Sequence, residues 1–481
     1  MSAEPGRVSD LPRKWAPGHA LTVVAPSSGR LGVVDRAVDQ PTPGLWRGPG
    51  SLLVWLLALY PLWWVLGLQA LIFPMLAVPM AISLTRRRHV ELPPAFGIWL
   101  CFCLVVAASL LMLDVNPPGT VAGGWLGRLP GALYRFGGYI SVTIIALYAV
   151  NLSEREFPRR RLIGLLSYLG LVTVVGGLLG TFAGTFEFTS PVEAVLPHGI
   201  RSNGFVKSLV HPQASQVMDF LGYETPRPAA PWGYTNTWGN IMAICAGWIA
   251  VAAFCFRTST RHRVAAVALL AIAVVPIVHS MNRGLWLNLG VIAVVVAVRM
   301  FIVGRLWMIG VLVGAGLVAL LAIAVTPLGD VVSARIDNGH SDDGRGYSTE
   351  QALAAVPHSP VLGFGSTRNT VGSADSIAIG PTEACPNCGS RTLGGNGQLW
   401  QVVFAHGLAG VACYLGFFLA VLWRFRRDHS PVGIVGWVVM VLSLTSMFYY
   451  NALLPPLVLT MLCYVLLWRN ERDGAVEGMA P

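Results

Sequence analysis

The sequence predicts an all-α polytopic membrane protein, and three observations predict it. Of the 481 residues, 54% are hydrophobic and only 12% are charged, with a mean hydropathy of +0.62. Soluble domains carry about 25% charged residues. Apolar runs of roughly 17–25 residues, the length that crosses a hydrocarbon layer, recur along the chain. Basic clusters follow every second run, as loops on one side of a membrane do. The length alone would fit several soluble domains, but the repeated runs argue for one membrane domain over residues 51–472.

Residues 1–50 are polar and rich in Pro and Gly, and lack the apolar stretch of a signal peptide. They are expected to form a mostly disordered tail, with a second short tail at 473–481. The apolar runs lie at about 52–68, 70–85, 95–113, 132–150, 162–184, 237–256, 264–282, 285–303, 306–326, 398–423, 432–450 and 453–469, which gives about twelve transmembrane helices. The clusters "RRRH" (86–89), "REFPRRR" (155–161), "RTSTRHR" (257–263), "RMFIVGR" (299–305), "RFRRDH" (424–429) and "RNER" (469–472) belong together on the cytoplasmic side. Both termini are then cytoplasmic. Topology and lipid headgroups account for most of the formal charge of +10, so no nucleic-acid partner is expected.

Two outer loops, at about 185–236 and 327–397, are longer than connectors need to be. They carry Arg201, Lys207, Arg227, Arg335, Arg345, Arg368 and Arg391, positive charge on the side where the topology rule disfavours it. An anionic ligand is one explanation. Local pairing with Asp330, Asp337, Asp342, Asp343 or Glu350 is the other. "STEQALAAV" (348–356) predicts a short helix with Ser348 near its N-cap, and "HSPVLGFGS" (358–366) predicts a turn. Of eight cysteines, Cys101, Cys103, Cys245, Cys255, Cys413 and Cys463 lie in apolar runs and read as small core or lipid-facing residues. Cys385 and Cys388 form "CPNC" in the second outer loop and read as a short local disulfide. The rival, half of a zinc site, lacks a second CxxC to complete it.

"SMNRGLWLNLG" (280–290) places Arg283 inside a long apolar stretch. A charge at a bilayer centre costs roughly 2.5–3.5 kcal/mol on insertion scales. The predicted topology puts Arg283 at the outer end of the seventh run, able to face a cleft beneath the two loops. There a guanidinium can hold phosphate oxygens bidentately. The alternative is an interfacial arginine that snorkels to lipid phosphate.

"SMNRGLWLNLG" resembles the "SRG-apolar-W-L" signature of the O-antigen ligase and O-antigen polymerase superfamily. "RPAAPWGYTNTWGNIMA" (227–243), "DDGRGYSTEQALAAVPHSPVLGFGS" (342–366) and "GNGQLWQVVFAHGLAGV" (395–411) resemble further segments of that family, in the family's order, over a core of 227–418. The resemblance implies a lipid-carrier-dependent, GT-C-like membrane glycosyltransferase in the bacterial cytoplasmic membrane. Such an enzyme moves a glycan from a polyprenyl diphosphate to an acceptor hydroxyl on the outer face, without a cofactor or a metal. The acceptor is a second glycan or another hydroxyl compound, and envelope polysaccharide assembly proteins are possible partners. The sequence agrees in lacking a GxxxxGK[ST] loop, an HExxH and a cytoplasmic DxD. Arginines would stabilise the charge developing on the diphosphate. Arg283 matches the family arginine, Arg227 the arginine before the sixth run and Arg345 the outer-loop arginine; Arg201 joins them on chemistry alone.

The pattern departs at one point. Where ligases of the family carry a His before the loop–helix Asn, this chain has Gly395 before Asn396. The general base is therefore not carried over. His279, four residues before Arg283, is the candidate that shares its side of a helix. His406 reads as a buried structural histidine and His358 as part of a turn. His340, Asp375 and Glu383 lie in the second outer loop. A transporter or a flippase for lipid-linked sugars is the competing class. The runs show no clear internal repeat and very few carboxylates, both of which ion-coupled carriers commonly use.

Overall fold

The computed structural model describes residues 46, 48–202, 204–219, 224–256, 258–337, 341–370, 392–452 and 454–474. The chain divides into Met1–Thr42 and Pro43–Pro481, and every described residue belongs to the second unit. The tail expected at 1–50 lies almost wholly outside the described residues, as do His340, Asp375, Glu383, Arg391, Cys385 and Cys388.

Every one of the twelve apolar runs is helical. In chain order the helices are α1 (Ser51–Ala58), α2 (Tyr60–Leu66), α3 (Ile72–Thr85), α4 (Phe96–Ser109), α5 (Trp125–Val150), α6 (Arg159–Phe182), three short helices α7 (Pro191–Val195), α8 (His198–Arg201) and α9 (Gly204–Val210), then α10 (Thr235–Ala250), α11 (Thr260–His279), α12 (Arg283–Ile302), α13 (Leu306–Ala324), α14 (Leu328–Asp337), α15 (Ser341–Ala355), α16 (Gln398–Arg424), α17 (Pro431–Ser446) and α18 (Leu454–Arg472). Among the described residues, seven helices are long and apolar enough to cross a membrane: Trp125–Val150, Arg159–Phe182, Thr235–Cys255, Thr260–His279, Arg283–Ile302, Leu306–Ala324 and Gln398–Arg424. The protein is thus mostly helical, with the long apolar helices of a multi-pass membrane protein.

The count of qualifying helices falls below the expected twelve for local reasons. The first run breaks between α1 and α2 at Leu59, beside Pro61. Proline lacks the N–H that would continue the helical ladder. Helices α3, α4 and α17 have 14, 14 and 16 residues. Helix α18 has 19 residues but ends in Arg469 and Arg472. It is also buried along nearly its whole length, so its surroundings are other helices of the bundle.

The segments expected as outer loops differ from simple loops. Strands β1 (Ser215–Asp219) and β2 (Glu224–Pro228) form an antiparallel hairpin, and β3 (Arg368–Asn369) pairs with β4 (Thr392–Leu393). The helix expected at 348–356 begins earlier, at Ser341, so Ser348 is an interior residue rather than a cap. Close helix packing relies on small residues, as in other membrane bundles. A Cβ on Gly177 of α6 would lie 2.5 Å from the Trp238 ring of α10.

Five of the six basic clusters are joined by contacts at one end of the bundle, and the third begins next to Phe256, which packs under Arg160 of the second. Arg87 pairs with Glu156 at 3.0 Å. Arg159 pairs with Glu154 at 3.1 Å and donates to the Arg469 carbonyl at 2.9 Å. Arg469 donates to Glu154 (2.9 Å), Arg472 to Glu91 (2.8 Å) and Arg424 to Glu471 (2.9 Å). Arg299 donates to the Arg426 carbonyl at 2.6 Å, and Arg160 lies over the Phe256 ring beside the third cluster. The sequence pattern had grouped these loops by charge alone.

Candidate functional site

A turn, a broken helix and a cavity make up the other end of the bundle. The turn is Ser280, Met281 and Asn282, between α11 and α12. Met281 has φ +47°, a left-handed conformation rare for a non-glycine residue. Side chains from distant segments hold the turn. Arg227 of β2 donates from Nε to the Ser280 carbonyl at 2.7 Å, and Arg335 of α14 from Nε to the Met281 carbonyl at 3.3 Å. Asn282 donates to the Thr235 carbonyl (3.3 Å), caps α12 by accepting from the Leu285 N–H (3.3 Å) and accepts from the Tyr450 hydroxyl. Arg283 then opens α12, half-buried.

Three guanidiniums influence one another here. Burial first, and then the charges of Arg335 and Arg345, push the Arg227 pKa down to about 10. Such a concentration of positive charge in a low-dielectric region is suited to an anion.

The broken helix is α16. Gly407 has φ 62° and ψ −167°, a region open essentially to glycine alone. In an unbroken helix Leu408 would donate to Phe404 and Ala409 to Ala405. Both bonds are replaced by the segment expected as a turn. The Phe404 carbonyl accepts from the Phe364 N–H (3.0 Å) and the Ala405 carbonyl from the Gly365 N–H (2.8 Å). Leu408 donates to the Pro360 carbonyl (2.8 Å) and Ala409 to that of Val361 (3.2 Å). Four bonds to the inserted segment thus satisfy the opened backbone, as burial requires. Gly363 (φ +63°) makes the approach possible, since a Cβ there would lie 2.5 Å from the Phe404 carbonyl oxygen. His406 sits at the break, fully buried, bonded through Nδ1 to the Ser109 hydroxyl at 2.9 Å. Its Nε2 has no partner among the described residues.

The cavity has a volume of about 550 Å³. Arg128, Arg135, Tyr139 and Tyr134 of α5, Trp232, Tyr234 and Thr237 at the start of α10, Ser366, Arg368 and Asn369 of the outer segment, and Gln401 of α16 contribute to its wall. Among the described residues, no Asp or Glu lines it. Arg368 donates through its two Nη atoms to the carbonyls of Leu113 (3.0 Å), Phe364 (2.8 Å) and Ser366 (3.0 Å) among others, while its buried Nε has no partner among the described residues. Burial and then the neighbouring Arg128 push its pKa down to about 10. Arg128 donates to the Leu113 and Val121 carbonyls at 2.7 and 3.1 Å. Arg135 differs: among the described residues it makes no hydrogen bond and no ion pair.

The expected site residues separate into groups. Arg227 and Arg345 come together electrostatically beside the turn that precedes Arg283. Arg201 lies in α8 and is not among the residues that line the cavity. His279 ends α11 and bonds through Nδ1 to the Val275 carbonyl of its own helix at 3.0 Å. His358 is exposed in a 3-10 turn. Gly395 lies next to the helix start, where its carbonyl accepts from Asn451. Among the described residues no group of three His, Cys, Asp or Glu could hold a metal. Sequence reasoning missed Arg135, Arg128 and the break at Gly407. Arg135 had a signal, an ionisable residue within an apolar run. No protein-family model matches the chain, and no curated protein matches it.

Proposed function

We propose that the chain is an integral membrane glycosyltransferase that transfers or polymerises glycans from a polyprenyl-diphosphate carrier onto an acceptor hydroxyl. In this reading all twelve apolar runs cross the bacterial cytoplasmic membrane, in a GT-C-like arrangement with both termini inside and the arginine turn outside. One observation carries it: the four segments that carry the family resemblance meet in space. Arg227, from the first, grips the Ser280 carbonyl of the second at 2.7 Å. The charge of Arg345, from the third, bears on Arg227. Residues 360–365, also of the third, insert into the broken helix of the fourth.

The chemistry assigned to the site is stabilisation of the leaving group. Transfer breaks the bond between the anomeric carbon and the diphosphate oxygen and leaves negative charge on the diphosphate. Arg227, Arg283 and Arg345 would meet that charge as it develops, with no metal in the proposed chemistry. Arg283 is the proposed catalytic arginine. His279 is proposed for the acceptor proton because it lies one turn before the arginine turn, with Arg201 as a more distant diphosphate contact.

The test is release of polyprenyl diphosphate by purified protein supplied with lipid-linked oligosaccharides from its host. Release should accompany a longer or newly anchored glycan. Arg283→Ala and Arg227→Ala should each reduce it by about 10²–10³-fold, as loss of one oxyanion donor does. The break in α16 favours a second class, since discontinuous helices line transport sites. Folded protein that releases nothing but moves the lipid across vesicles would establish a flippase instead.

A further inference from the structure

A second, smaller chamber lies where α10, α16, α17 and α18 meet. Its volume is about 20 Å³, and Asn240, Gln398, Ser443, Ser446, Tyr450 and Thr460 line it together with apolar side chains. Polar groups are costly inside an apolar bundle unless each is bonded. Five of these six have partners in the protein. Tyr450 donates to Asn282, and Ser446 to the Leu442 carbonyl. Ser443 donates to the Val439 carbonyl at 3.0 Å, so its 3.1 Å bond with Thr460 takes the Thr460 hydrogen. Gln398 donates to the Tyr139 hydroxyl (2.9 Å) and accepts from the Ala452 N–H (3.0 Å). Asn240 is the exception. It is 7% exposed, and among the described residues its amide makes no hydrogen bond.

The groups on the wall define what fits. The hydroxyls have given their hydrogens to the protein and keep their lone pairs, so the wall is rich in acceptors. The Asn240 amide adds donors and one more acceptor. A water needs about 10–15 Å³ and two to four polar partners, so the chamber has room for one. A cation suits it less. Among the described residues no charged side chain lines it, and the charges of Arg227 and Arg345 reach the Tyr450 hydroxyl. We propose that the chamber is a binding site for a single internal water, which accepts from the Asn240 amide and donates to the hydroxyl oxygens of α17 and α18. The place of the chamber gives this water a role. Gln398 bonds to Tyr139 of the larger cavity, Tyr450 bonds to Asn282 of the arginine turn, and Ala452 and Leu457 line both chamber and cavity. The water completes a polar connection between the cavity and the turn. The site is independent of the transferase reading.

The experiment is thermal melting of the purified full chain in detergent. Asn240→Leu nearly conserves volume and removes the amide. With a water in place it should melt about 2 °C below wild type, because the water's hydrogen bonds are lost. Melting at or above the wild-type temperature would mean an amide that nothing satisfies, and would overturn the site. Thr460→Val tests the bridge. Asn240 and Thr460 share no hydrogen bond with each other, yet a shared water makes the loss in the double variant smaller than the sum of the single losses. Additive losses would overturn the bridge. An experimental map of the wild-type chain decides the matter even where Asn240→Leu does not fold. Density within hydrogen-bond reach of the Asn240 amide is expected, the same in sodium chloride and in choline chloride. A map that resolves ordered waters elsewhere in the core and shows none there would overturn the site. Density lost in choline chloride, together with a lowered melting temperature, would make the ligand a sodium ion and overturn the water.

Discussion

The two ends of the bundle use the same residue for opposite purposes. Helix α5 separates them: its 26 residues span about 39 Å, from Arg128 near its start to Asn151 beyond its end. At the Asn151 end, arginines meet carboxylates. Arg159 and Arg469 share Glu154, Arg472 holds Glu91 and Asp473, and Arg87 holds Glu156. At the Arg128 end, arginines grip carbonyls, as Arg227 and Arg368 do, or line a cavity without a hydrogen bond among the described residues, as Arg135 does. Neutralised charge fastens helices together. Charge left in excess, near a strained turn and a broken helix, is a place for a ligand's charge. A count of arginines would treat the ends as equivalent; their partners distinguish them.

The largest effect at the fastening end is expected from Arg469→Ala. The side chain is fully buried and joins Glu154 and the Phe157 carbonyl to α18. Its removal should cost about 3 kcal/mol, the lower end for breaking a buried pair because Glu154 is part exposed. Denaturant unfolding in detergent checks this. Activity per folded molecule should not change, and a tenfold loss at unaltered stability would break the comparison. Arg368→Lys should come next, at about 1–2 kcal/mol. A lysine cannot reproduce the fork that reaches the Leu113, Phe364 and Ser366 carbonyls together. Limited proteolysis of the outer segment should rise with it, while Arg469→Ala leaves that segment protected.

The sequence made the scaffold legible because a helix that meets lipid must be apolar for its whole length. All twelve runs fall in helices, seven of them long and apolar enough to cross a membrane, and the alternation of basic clusters anticipated the contacts among them at one end. Arg283 stood out for the same reason, a charge against an apolar background. The parts that escaped depend on contacts between distant segments. Nothing local marks Gly407 as a break, because its cause is backbone from residues 360–365 that replaces two helical bonds. The start of α15 was misplaced because its first half, "SDDGRGY", carries polar and glycine residues that read as loop. Arg227 was found from its motif, but its hold on the Ser280 carbonyl, 53 residues away, belongs to the fold.

The smallest expected effect is the pH dependence of the fastening end. Burial alone would raise the Glu156 pKa, but hydrogen bonds from Ser153 and the charge of Arg87 outweigh it and hold the carboxyl below its ordinary value. Asp473 is held low in the same way, its burial outweighed by Arg472 and its neighbours. A depressed carboxylate stabilises the folded state above its unfolded pKa and loses that contribution as pH falls through the folded value. Stability should therefore be flat near neutrality and decline below about pH 4. Each pair is part exposed, so each should contribute about 0.5 kcal/mol or less and weaken with salt. Glu156→Gln should flatten part of the acid decline in thermal melts, while phosphate-ligand binding at pH 7 stays as in wild type. If Glu156→Gln instead weakened binding at neutral pH, the fastening end would be coupled to the ligand end, and the division of arginines between the two would fail.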